Sequence, residues 1–296
     1  MTVSERPVTF ACAGETLLGM LHLPAAPASR GVLVVVGGPQ YRVGSHRQFV
    51  LLARHLAEQG IPVMRFDYRG MGDSSGEAVD FEAIGPDIEA AVDTFFQHAP
   101  GLAEVAIWGL CDAASAALFY AHRDPRVSGL TLLNPWVRTE AGEAKAYLKH
   151  YYLGRLMNPN LWRKIVRGEF DFKGSLASLV QKLRSASGGG APVPAKADEE
   201  AGEPSVEATG CGTAPLPERM LDGLSRFQGP VLLILSGDDL TAGEFRDVVG
   251  ASRAWKRQLK DRRIRRLDLA EANHTFSRRD WRDQVAAATA DWVKSW

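Results

Sequence analysis

Cys111 lies in the stretch "WGLCDAASAALFY", residues 108–120, where an apolar run gives way to small residues. A strand, a sharp turn and a small-residue helix can lift a nucleophile above a sheet edge, as the serine of G-x-S-x-G is lifted. The turn requires small residues two before and two after the nucleophile, and Gly109 and Ala113 meet that requirement. The N-terminus of the following helix offers N–H groups and a positive dipole end, which lower a thiol pKa. Asp112 opposes this, because a neighbouring carboxylate disfavours a second anion, and it could instead cap the helix. The alternative reading of Cys111 is a small inert residue filling a strand end.

A thiol nucleophile needs a base, and the base needs an orienting acid. The run "VLLILSGDD" ends in Asp238 and Asp239, and "LAEANHTFS" places His274 about 35 residues later, before a final helix. Alternation points the two aspartates in different directions, so one carboxylate at most reaches the histidine. An oxyanion developing on the substrate needs two backbone donors. The Asp112 N–H is one expectation. The other comes from "VVGGPQYRVGSHRQF", where Pro39 has no N–H to give; Gln40 is the first candidate and Gly38 the second. Tyr41, Arg42 and His46 on that loop are candidates for a polar substrate-facing rim, or simply solvated charges and caps. "DYRGMGDSSG", residues 67–76, lacks the spacing of a phosphate-binding loop and reads as a structural turn.

These residues must be held by a sheet. "VTFACAGETLLGMLHLP" reads as a β-hairpin around Gly14. "GVLVVVGG", "IPVMRFDYRG", "AEVAIWG", "VSGLTLLNPW", "GPVLLILSGDD" and "IRRLDL" read as core strands, with helices over 46–59, 81–98, 112–122, 244–260 and from Arg279. Strands alternating with helices predict an α/β fold with a mostly parallel central sheet and helices on both faces. The nucleophile–acid–base order is that of α/β-hydrolases. Residues 1–136 and 227–296 form the two parts of the core. Residues 137–226 form an inserted helical lid, aromatic and basic over 137–184, with a loop at 185–216 low in apolar residues and rich in Gly, Pro, Ala and Glu.

Composition excludes several functional classes. Thirty-five basic and thirty-five acidic side chains leave no net field to draw nucleic acid or an anionic membrane. Three cysteines, Cys12, Cys111 and Cys211, are too few and too scattered for a disulfide framework or a zinc site. The opening "MTVSERPVTF" has no charged n-region followed by an apolar h-region, and "VLVVV" is far too short to span a bilayer. The expectation is a cytoplasmic protein with no stable membrane insertion, acting on a small-molecule acyl substrate without metal or organic cofactor.

Four blocks, "GGPQYRVGSHRQFVLLARHLAEQGIPVMRFDYRGMGDSSG", "WGLCDAASAAL", "LSGDDLTAGEF" and "ANHTFS", resemble the exosortase A system-associated hydrolases of type 1, a branch of the α/β-hydrolase superfamily. The resemblance covers most of the chain outside 185–216. It implies a hydrolase that works beside an exosortase and exopolysaccharide system in Gram-negative bacteria. It also implies Asp239 as the acid, because the family's block runs glycine, variable residue, then Asp-Leu-Thr-Ala; Asp238 is held in reserve. Dienelactone hydrolases are a mechanistic analogue with a cysteine nucleophile. The reading is therefore a carboxylic ester or thioester hydrolase with a Cys111–His274–Asp239 triad. An acyltransferase of the same fold and a non-catalytic binding protein are the alternatives.

Overall fold

Ala13 and Gly14 both have positive φ (50° and 87°), and this tight turn joins β1 (Ser4–Cys12) to β2 (Glu15–Leu23) as the hairpin expected around Gly14. The computed structural model describes residues 3–138 and 214–296. The continuously apolar runs become β3 (Arg30–Val35), β4 (Val63–Phe66), β5 (Glu104–Leu110), β6 (Val127–Leu133), β7 (Val231–Asp238) and β8 (Ile264–Asn273). All eight strands lie in one sheet, ordered β1-β2-β4-β3-β5-β6-β7-β8. Pairing is parallel from β4 through β8 and antiparallel for β1–β2 and β2–β4. The parallel strands therefore deliver all their C-terminal ends, and the loops that follow them, to one edge.

Helices cover both faces. On one face α2 (Gly85–His98), α3 (Asp112–Tyr120), α4 (Leu216–Arg226), α5 (Leu240–Ala251) and α6 (Arg253–Gln258) enclose a core around Phe66, Phe95, Leu118, Leu224, Phe245 and Trp255. On the other, α1 (Gln48–Glu58) and α7 (Arg279–Val293) cover Trp108, Phe49, Ile234 and Trp292. Buried strands packed on both faces explain the unbroken apolar runs in the sequence.

The structure differs from the sequence reading in two places. The helix expected over 244–260 is two helices, because Ser252 leaves helical geometry and its hydroxyl accepts the Trp255 N–H as a new N-cap. The segment 216–226, expected within the insertion, is α4. It buries Met220, Gly223 and Leu224 against the core and belongs to the same unit as the sheet. The lid expected over the rest of 137–226 and the loop over 185–216 fall almost wholly outside the described residues, which stop at Arg138 and resume at Ala214.

Candidate active site

Cys111 stands at the apex between β5 and α3 with φ 64° and ψ −127°. Such a conformation costs an L-residue on the order of 1–3 kcal/mol and persists only where its surroundings enforce it. They do so here: the Cys111 N–H donates to the Leu133 carbonyl at 2.9 Å, and its carbonyl accepts from Ala114 and Trp136 N–H groups at 3.1 and 3.2 Å. A Cβ on Gly109 would lie 2.6 Å from the Ala113 carbonyl oxygen, so strand and helix approach closely enough to demand glycine there. Ala113 is buried against the same contact. Ser115, one turn into α3, is buried and donates to the Trp136 carbonyl at 2.6 Å, holding the segment after β6 against the helix.

The thiol itself corrects an expectation. Position at a helix N-terminus predicts a depressed pKa, but burial pushes the Cys111 thiol well above its usual range, and the Asp112 and Asp239 carboxylates push it further. The Asp112 N–H facing the sulfur and the Arg138 guanidinium work the other way and do not prevail. The resting group is therefore a neutral thiol. Arg138 is held by Glu244 at 3.2 Å and stacks on Trp136 at 4.4 Å.

His274 follows β8, and its Nδ1 lies 3.0 Å from Asp239 Oδ1. Asp239 is almost buried (6 % exposed), whereas Asp238 is exposed at the end of β7. The separation is that of a hydrogen bond, but Nδ1 lacks the directional alignment of one. Such bonds are commonly loose before substrate binds and tighten with it. Asp239 is held by a second role: it N-caps α5, accepting the Thr241 and Ala242 N–H groups at 3.3 and 3.0 Å.

Two residues that the sequence did not single out tie this edge together. Asn134, fully buried just after β6, accepts the Ser236 N–H at 2.8 Å. Its amide donates to Ser236 Oγ at 2.9 Å and to the His274 carbonyl at 3.2 Å. Ser236 Oγ donates onward to the Asn273 carbonyl at 2.9 Å. One buried network thus links the ends of β6 and β7 to the backbone that carries His274.

The loop after β3 meets the elbow through Asp112. Asp112 Oδ1 accepts N–H groups from Gly38 at 2.7 Å and Ala113 at 2.8 Å, and Oδ2 lies 2.9 Å from the Gly38 nitrogen. The donor beside the elbow is thus Gly38 and not Gln40, whose N–H is turned back onto the Gly38 carbonyl at 2.8 Å. Gln40 Oε1 instead accepts the Ser45 N–H at 3.0 Å, a loop-bracing role. Arg42 is also corrected: its guanidinium is bound to the buried Asp67 and lies 2.6 Å from Asp73, and its N–H donates to Asp67 at 2.5 Å. It staples this loop to "DYRGMGDSSG" and is not available to substrate. Tyr41 and His46 are exposed on the loop. Among the described residues no group of three or more His, Cys, Asp or Glu side chains is arranged to hold a metal ion, and no helix is long and apolar enough to cross a membrane.

An elbow after β5, an acid after β7 and a histidine after β8, all at one edge of this strand order, make the arrangement of an α/β-hydrolase. Residues 27–178, just over half of the chain, match the family model described as serine aminopeptidase, S33. The chain belongs to the serine aminopeptidase S33 family of hydrolases. This member carries Cys111 at the elbow. The chain is also 30% identical over 129 residues to the polyketide transferase grgF of a Penicillium species, a stretch covering 42% of each protein. It thus spans about four-tenths of the length of that relative. Among solved structures, the Pyrococcus furiosus esterase Pf2001 superposes with a TM-score of 0.64 at 13% identity, covering 99% of this chain and 93% of the esterase. The Anabaena variabilis dienelactone hydrolase gives 0.59 at 16% over 99% and 97%. The Penicillium GrgF structure gives 0.59 at 18% over 98% of each chain. At these identities the likeness of the solved structures is one of fold.

Proposed function

We propose that this S33-family chain is an acyl-group hydrolase or transferase that uses Cys111 as nucleophile, His274 as base and Asp239 to orient the imidazole. The observation that carries the reading is the strained Cys111 elbow, φ 64°, sharing one sheet edge with a histidine 3.0 Å from a nearly buried carboxylate. Cys111 Sγ attacks the carbonyl carbon of an ester or thioester, and His274 Nε2 takes the thiol proton as the S–C bond forms. The carbonyl oxygen, now negative, is held by the Gly38 and Asp112 N–H groups. Collapse breaks the bond to the leaving alkoxide or thiolate, which receives the proton from His274. Water, deprotonated by the same imidazole, then cleaves the acyl-thioester and restores the thiol. Tyr41 and His46 form the proposed polar rim toward the substrate.

Acyl transfer to an alcohol in place of water is a second reading, favoured by the 30% identity to a polyketide transferase. The resemblance of four sequence blocks to exosortase-associated hydrolases supports a role beside exopolysaccharide machinery. The reading is tested with a panel of esters and thioesters, with and without alcohol acceptors, on wild type and Cys111→Ala. It requires turnover that Cys111→Ala loses. Equal turnover by both would overturn it, and an ester product in place of acid would decide for transfer.

A further inference from the structure

Asp112 does more than follow the nucleophile. Its Oδ1 is bound by two converging backbone N–H groups, Gly38 at 2.7 Å from the loop after β3 and Ala113 at 2.8 Å from the first turn of α3. One negatively charged oxygen with two short, preorganised N–H donors is the coordination that a substrate oxyanion requires. The pocket for that oxygen is bounded by backbone: a Cβ on Gly37 would stand 2.3 Å from Asp112 Oδ1 and 2.4 Å from the Leu110 carbonyl. The carboxylate and a substrate oxygen cannot both use the Gly38 N–H.

We propose that the Asp112 side chain is a resident ligand of the oxyanion hole, which an acyl substrate must displace before Cys111 can be acylated, and that Asp112 thereby sets which acyl groups react. The inference rests on the assignment of Cys111 as nucleophile. Substrates whose remote contacts are strong enough to drive the carboxylate out are accepted. Small activated esters, which bring little binding energy besides the carbonyl, are disfavoured. Burial already raises the Asp112 carboxyl to about 6, with Asp80 adding to the effect, so the anion is held against its own desolvation by the Gly38 and Ala113 N–H groups, the first of which the substrate needs. Other groups that sense this charge are the Cys111 thiol and the Tyr68 phenol, both raised by it.

Two reactions of the same sulfur separate occlusion from simple charge. Alkylation by iodoacetamide needs the thiolate but no oxyanion hole, whereas acetylation by p-nitrophenyl acetate needs both. In Asp112→Ala, loss of the neighbouring charge speeds both reactions. Opening of the hole speeds acetylation about tenfold more than alkylation, with Asp112→Asn, which keeps a neutral acceptor on Gly38, in between. Thermal unfolding verifies that the variants remain folded. Equal acceleration of the two reactions, slower acetylation with faster alkylation, or alkylation without acetylation in every variant would overturn the proposal. A Cys111 inert to both reagents in every variant would instead overturn the nucleophile assignment, and this inference with it.

Discussion

His274 Nδ1 stands 3.0 Å from Asp239 Oδ1, while Asp238, one residue earlier, is exposed to solvent. Consecutive residues at the end of β7 face different ways, so the histidine draws on one carboxylate only. An imidazole whose Nδ1–H settles on that carboxylate as substrate binds would leave Nε2 free to act as a base. Asp239→Asn is expected to lower kcat on the order of 10³–10⁴-fold. The fold should barely notice, because asparagine caps a helix about as well as aspartate. Asp238→Asn should leave kcat within a few-fold of wild type. Steady-state kinetics and melting curves of the two variants measure this contrast, and the reverse ranking reassigns the acid.

Asn134 has no polar solvent-facing role to lose, since it is fully buried and its amide is shared among Ser236 and His274. Asn134→Ala leaves the Ser236 N–H and the His274 carbonyl without this partner, at a cost of about 1–3 kcal/mol per stranded buried group. It also places alanine at φ 42°, which asparagine tolerates better. The expected outcome is a melting temperature lowered by several degrees and a fall in kcat larger than the change in KM, because the network supports the histidine and not the substrate. A variant as active as wild type shows that His274 needs no such support.

Two desolvated groups give opposite pH dependences. His22 is fully buried in β2, accepts the Arg65 Nε–H at 2.9 Å, and is lowered to about 4 by burial and by the Arg65 charge. The unfolded chain binds this proton near pH 6.5 and the folded chain does not, so stability present above pH 6.5 is lost as pH falls toward 4. In His22→Gln that loss is absent, and the stability gap to wild type should narrow by roughly 3 kcal/mol between pH 7 and pH 4. Asp112, raised to about 6 by burial, runs the other way: its contribution is complete below the unfolded carboxyl value and is lost as pH rises through 6. Asp112→Asn should therefore gain stability relative to wild type at pH 8 but not at pH 4. Urea titrations at three pH values check both signs.

The elbow was legible because its requirement is steric and local: Gly109 and Ala113 had to be small wherever the sheet lay. The strand pattern was legible for the same kind of reason, each buried strand being a short unbroken apolar run. The direction of backbone N–H groups was not. Gln40 was the natural donor once Pro39 was excluded, yet the chain turns its N–H onto Gly38, and nothing in residue type announces that turn. Arg42 looked like a rim charge because its partner Asp67 lies 25 residues away in the chain. Asn134 and Ser236 are separated by 102 positions and meet only when β6 and β7 pair. Ser252 was an available signal, a serine before "RAWKRQ" that caps a new helix inside a longer helical pattern.

The proposed mechanism passes an acyl group through the Cys111 sulfur. Rapid acid quenching during turnover of a thioester, followed by mass mapping of the peptide holding Cys111, reads it directly. The expected result is an acyl adduct on Cys111 in the wild-type enzyme that is missing from Cys111→Ala. Turnover without an adduct on Cys111, undiminished in Cys111→Ala, would contradict it.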